Sequence, residues 1–171
     1  MIQRLSPDFY QRDVLKVAPE LLGKTLVRQF NNHIISKFKI TEVEAYRGGD
    51  DLACHASKGK TARTSVMFDE GGKVYVYLIY GIYWMLNIVT GGKDEASAVL
   101  IRGISNISGP GKVGKLLELD KSFYSENLFY SQRIWVENSP DKINFTRTPR
   151  IGINYAGEPW ISKPWRYILA D

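Results

Sequence analysis

Between residues 74 and 102 the chain carries three segments that read as strands. They are Val74-Tyr75-Val76-Tyr77-Leu78-Ile79, Trp84 to Thr90 and Ala98 to Arg102, rich in β-branched and aromatic residues. The first two are linked by Tyr80-Gly81-Ile82-Tyr83, which reads as a hairpin tip. Upstream, Thr25 to Gln29 and Ile34 to Tyr46 have the same character and are joined by a turn at Asn31-Asn32. Arg133 to Glu137 and Ile151 to Tyr155 are shorter strand candidates. Strands in hairpins outnumber helices and no regular βαβ alternation appears. The expected fold class is therefore α+β, a single mixed domain over residues 1–171 around a mostly antiparallel sheet.

Helices are few. Val14, Val17, Ala18, Leu21 and Leu22 follow helical spacing, with Asp13 as N-cap and Gly23 as stop. Pro19 inside that pattern should kink or split the helix. A second short helix is expected after Gly109-Pro110-Gly111, near Val113 to Leu119. Residues 47–72 are polar and glycine-rich and read as a long loop with a short helix in it. A loop of that length within a compact domain is more often functional than idle.

Composition removes several classes. A single cysteine, Cys54, excludes an internal disulfide framework and a cysteine-rich zinc module. Met1 to Pro7 has no long apolar run, and the best apolar stretch, Val74 to Val89, is too short for a membrane span. The expectation is a soluble intracellular domain with no membrane partner. Lys and Arg exceed Asp and Glu by 23 to 18, and the ten Tyr, seven Phe and four Trp supply rings that stack on bases. Basic plus aromatic fits a nucleic-acid partner, and equally a small β-rich domain with a slightly basic surface.

Two phosphate-loop patterns fail. Lys58-Gly59-Lys60-Thr61 lacks the glycine that a P-loop needs where Cys54 stands. Gly109-Pro110-Gly111-Lys112-Val113-Gly114 spells G-x-G-x-x-G but comes late, after the polar stretch Ser105 to Ser108. Lys112 at that helix start is a candidate for one phosphate, and a plain helix-capping turn is as good a reading.

In the second strand the two-residue period places Phe38, Ile40, Glu42, Glu44 and Tyr46 on one face. The apolar members should point inward, carrying Glu44 towards the interior or a cleft. Glu44 is then either a general base or a structural carboxylate paired with an arginine such as Arg102. His55 is a base, a stacking ring or a satisfied loop histidine. A metal site from Glu44, Asp50, Asp51 and His55 matches no standard ligand spacing, so none is expected. Tyr80 at a hairpin tip has little to bury against, so it is either a wedge that pries open a duplex or part of a tip that folds back onto the core. Asn87, between Leu86 and Ile88, either satisfies local backbone or probes a ligand's polar edge.

These pieces occur in an order that resembles one family. Thr41-Glu42-Val43-Glu44-Ala45-Tyr46, Asp51-x-Ala53-x-His55-Ala56, Gly59-Lys60-Thr61-x-Arg63, Met67-Phe68 and Val74 to Gly81 form its central block. Leu86 to Val89, Val99 to Arg102, Gly109 to Lys112 and Pro149 to Ile153 continue it, and Leu21 to Lys24 fits near the start. The chain resembles the alkyladenine (3-methyladenine) DNA glycosylases along almost its whole length.

That resemblance implies a curved antiparallel sheet with a protruding hairpin. It implies a monofunctional enzyme that flips a damaged purine from double-stranded DNA and hydrolyses its N-glycosidic bond. Glu44 would activate the water, with Arg102 and the backbone carbonyl of Ile151 positioning it. Tyr46 and His55 would pack one face of the base and Tyr77 the other. Asn87 would reject guanine by crowding its amino group, and Tyr80 would fill the gap in the stack. Lys60, Thr61, Arg63 and Lys112 are the candidates for phosphate contacts. No cofactor is implied, and the protein is expected as a monomer, cytoplasmic (nucleoid-associated if bacterial) or nuclear. The competing functions are a non-catalytic DNA-binding protein of the same fold and a hydrolase of free nucleosides.

Overall fold

The computed structural model describes residues 3–170. Among these residues nine strands form a curled, antiparallel sheet: β1 (Thr25–Gln29), β2 (Ile35–Tyr46), β3 (Val74–Ile79), β4 (Tyr83–Thr90), β5 (Ser97–Ile104), β6 (Ile107–Ser108), β7 (Ile134–Glu137), β8 (Phe145–Thr148) and β9 (Arg166–Leu169). The main order is β3-β4-β5-β2-β1-β7, and the α+β expectation holds. β2 is the hub. Its first half pairs with β1, while Glu42 to Glu44 pair with β5 on one edge and β9 on the other. β8 and β9 carry no pattern that the sequence reading recognised, and the last strand enters the sheet beside Glu44.

Among the described residues three α-helices accompany the sheet: α1 (Pro7–Tyr10), α2 (Val14–Leu21) and α3 (Pro110–Leu116). Asp13 caps α2 as expected, accepting from the Leu15 amide at 2.9 Å. Pro19 does not split α2: the helix runs through it and ends two residues later, so one missing N–H is tolerated. Val14, Val17, Ala18 and Leu21 of α2, Val113 of α3 and Leu117 just after it bury against Val76, Leu86, Ile88, Val99 and Ile101. α3 lies so close to β4 that a methyl group at Gly114 would collide with the Trp84 carbonyl oxygen. Gly111 likewise faces the Tyr83 ring, so the G-x-G-x-x-G letters record helix–sheet packing.

The facing of β2 differs from simple alternation. Its register with β5 shifts between Ile40 and Glu42 and again between Glu42 and Val43. Thr41 on β2 and Arg102 on β5 are the extra residues, and such bulges turn a strand's side chains over. Ile40 therefore shares the helix-covered core with Val43 and Ala45, while Glu42, Glu44 and Tyr46 point to the other face. Without the bulges, the carboxylates would have joined the apolar core.

Candidate active site

That second face is covered by the long loop, which forms two 3₁₀ helices, His55–Lys58 and Ser65–Phe68. Cys54, Ala56, Val66 and Met67 seat it on Tyr75, Val89 and Ala98. Beside this contact lies a cavity of about 420 Å³. Its sheet side is built from alternate residues of β3, β4 and β5, among them Tyr77, Asn87 and Arg102. His55 and Arg63 come from the long loop, and Ile151 and Tyr155 close the cavity from the C-terminal side. A volume of this order lies within the range of small-molecule sites.

Glu44 stands directly behind the cavity wall and is fully buried. Its Oε2 accepts from the Tyr46 hydroxyl at 2.7 Å and its Oε1 from the Ile151 amide at 2.7 Å. The Nε of Arg102 is 3.7 Å from Oε1 but donates to Glu42 at 3.1 Å. The expected partnership of Arg102 with Glu44 is thus shared with a second carboxylate. Ile151 reaches Glu44 through its N–H. The segment 151–155 is not the expected strand: Gly152 has φ of +74°, which breaks the extended run before a 3₁₀ turn at Asn154–Ala156.

The rings group differently from expectation. His55 and Tyr77 meet edge to face with centroids 4.6 Å apart, so no base fits between them. They form one wall. Tyr46 belongs to neither ring contact and is backed instead by the Arg150 guanidinium, 4.8 Å from its centroid. Burial lowers the pKa of His55 to about 4, with Arg63 and Lys58 adding to the shift. The ring is therefore neutral at physiological pH, with Nδ1 and the Tyr75 hydroxyl 2.9 Å apart. Burial raises Tyr75 to about 12, and burial with the Glu44 charge holds Tyr46 well above its ordinary value. Both phenols stay protonated.

Asn87 is buried and donates to the Tyr75 carbonyl at 3.2 Å, so it serves the backbone while also lining the cavity. Tyr80 stands at the hairpin tip, 85 % exposed, with φ of +52°. The Arg63 guanidinium lies 5.0 Å from the Tyr77 ring at the mouth. Thr61 bonds Thr64 and lines an adjoining recess with Lys58 and Arg63. Lys60 is exposed nearby. Lys112 is exposed on α3 and does not line the cavity.

The sequence reading did not single out Arg150. Its guanidinium is fully buried, donates to Asp51 at 2.5 and 2.9 Å and to the Ala45 carbonyl at 2.9 Å. Asp51 also accepts from the amides of Arg47 and Ala53, and so holds the loop leading to His55. The sequence offers Asp51 as a metal candidate and as part of the family motif, and its buried partner lies 99 residues away. Among the described residues no group of three or more His, Cys, Asp and Glu is placed to hold a metal ion. None of the described helices is long and apolar enough to cross a membrane.

The sequence model of the methylpurine-DNA glycosylases matches residues 8–108 and 105–171. The chain belongs to that family. Proteins named "Putative 3-methyladenine DNA glycosylase" are similar throughout. One from Legionella pneumophila (strain Corby) is 42% identical over 179 residues, covering 99% of this chain and 96% of its own length. One from Wolbachia pipientis wMel is 46% identical over 170 residues, covering 95% and 89%. A more distant one, from Clostridium botulinum (strain Alaska E43 / Type E3), is 37% identical over 195 residues and covers 98% and 96%. As a member of a DNA glycosylase family the chain is an enzyme, and the cavity over Glu44 is its candidate active site.

Proposed function

We propose that this family member flips an alkylated purine out of double-stranded DNA into the cavity and hydrolyses its N-glycosidic bond with water, leaving the strand intact. The observation that carries the reading is the state of Glu44. A fully buried carboxylate held directly behind the cavity lining by the Tyr46 hydroxyl and the Ile151 amide is a positioned general base. Arg102 lines the cavity 3.7 Å from that carboxylate and marks where the water enters.

Alkylation at a ring nitrogen makes the purine cationic and already a good leaving group. Tyrosine faces attract such a cation by about 0.5–2 kcal/mol per contact. The base lies between Tyr46 on one side and the His55–Tyr77 pair on the other, and Asn87 crowds the exocyclic amino group of guanine. Tyr80 fills the space the base leaves, and Lys58, Lys60, Thr61 and Arg63 around the mouth meet phosphates. A damaged base also costs less to extrude than an intact pair, which adds selectivity. The protein acts as a single chain of one domain.

A base-release assay on a duplex with one alkylated adenine tests this. Free base should appear while the strand stays uncut. Binding without release would support the non-catalytic reading, and release from free nucleosides alone would support the nucleoside hydrolase.

A further inference from the structure

Two carboxylates compete for one guanidinium beside the site. Glu42 lies two residues before Glu44 on the same face of β2, with its side chain 10 % exposed. Its Oε1 accepts from the Nε of Arg102 at 3.1 Å and from the Nε of Arg166 at 2.6 Å. Its Oε2 accepts from the Ser108 hydroxyl at 3.4 Å. The same Arg102 Nε is 3.7 Å from Glu44, beyond hydrogen-bond range. A single N–H serves one acceptor well, and here it serves Glu42.

We propose that Glu42 is a positioning residue: by taking the Nε–H of Arg102 it keeps that guanidinium from closing onto Glu44. Glu44 is left with two uncharged donors, the Tyr46 hydroxyl and the Ile151 amide. The inference rests on the reading of Glu44 as that base. Glu42 and Glu44 share a face by the strand's own alternation, and the bulges at Thr41 and Arg102 turn that face away from the helix-covered core where Ile40 lies.

The charges around Glu44 fix the sign of the test. On β2 they are Glu42 and the Tyr46 hydroxyl, on β5 Arg102, and on β9 Arg166, which also donates to Thr148. From the C-terminal loop come Arg150, paired with Asp51, and Tyr155; from β3 comes Tyr77. Replacing Glu42 by Gln keeps the shape and an acceptor oxygen but removes the charge. Arg102 then turns to Glu44, favours its ionised form and weakens it as a base.

The experiment is single-turnover base release across a pH series on a duplex with one alkylated adenine. It compares the wild-type protein, Glu42→Gln, Arg102→Ala and the double variant, with each fold checked by melting. Glu42→Gln should lower the plateau rate about tenfold and move the acidic limb down by about one pH unit. In the Arg102→Ala background the same substitution should leave the plateau unchanged and shift the limb by less than half as much, the remainder being the direct effect of the Glu42 charge. An equal limb shift in both backgrounds would mean that Glu42 acts on Glu44 directly, and would overturn the proposal. No shift in the wild-type background would overturn it too. Should Glu42→Gln fail to fold, Arg166→Gln takes its place: it frees Glu42 to hold Arg102 alone. It should move the limb up, and further while Arg102 is present than in the Arg102→Ala background; no movement, or equal movement in both backgrounds, refutes the proposal. Glu44→Gln run beside them separates the two readings, since full activity there removes the base assignment itself.

Discussion

The amide of Ile151 donates to Oε1 of Glu44 at 2.7 Å, joining residues 107 positions apart. The contact closes the site from two directions, since β2 offers the carboxylate and the C-terminal third supplies a donor to hold it. It also accounts for the shape of residues 151–155. An amide turned towards a buried carboxylate leaves no extended ladder for a strand, and Gly152 supplies the turn that follows.

Arg150, next in the chain to Ile151, sets that donor in place. Its bidentate pair with Asp51 is entirely enclosed, and removing one partner of such a pair leaves a buried uncompensated charge. Asp51→Ala should therefore cost about 3–5 kcal/mol of stability, measured by denaturant unfolding. A loss near zero would mean that water or another group already compensates Arg150.

Tyr80 is held at φ of +52° with its ring in solvent, a conformation that a non-glycine residue adopts at a cost of about 1 kcal/mol or more. The fold gains little from that residue. Tyr80→Gly should leave stability unchanged or raise it by up to about 1 kcal/mol, while base release from duplex DNA falls about tenfold. A variant that stays fully active on duplex substrate would remove the wedge assignment.

His55 gives a pH dependence of definite sign. Its pKa is lowered in the fold from 6.5 to about 4, chiefly by burial. Between those values the unfolded chain binds a proton that the folded protein does not. His55 thus leaves stability untouched above pH 6.5 and lowers it as pH falls towards 4. Melting temperatures across that range should drop less steeply for His55→Gln than for the wild-type protein. Parallel slopes would show that the ring is not held neutral.

Much of this site was legible from local pattern. The strands from Thr25 to Ile104 follow β-branched and aromatic runs, and the observed limits differ from the expected ones by no more than two residues. Tyr80 at its tip and Asn87 in an apolar strand stood out because each broke its local rule. The facing of Glu44 was reached by an argument that fails in detail. Strict alternation put Ile40 and Glu44 together, and the two bulges place them on opposite faces. A bulge depends on the partner strand, so the sequence of β2 does not announce it. The same holds for Asp51 with Arg150 and for Glu42 with Arg102 and Arg166. Each is a charge whose meaning comes from a partner 60 to 124 residues away. β8 and β9 are four residues each, too short to show a period, yet β9 is what brings Arg166 to Glu42.

The central claim is that Glu44 activates the water that cleaves the glycosidic bond. Single-turnover release of an alkylated adenine from duplex DNA, measured beside lesion binding for Glu44→Gln, tests it most directly. Glutamine keeps acceptor and shape but takes up no proton, so the variant should bind the lesion duplex as the wild-type protein does. Its release rate should fall by at least about a hundredfold. A variant that binds equally and still releases the base at the wild-type rate would contradict the account.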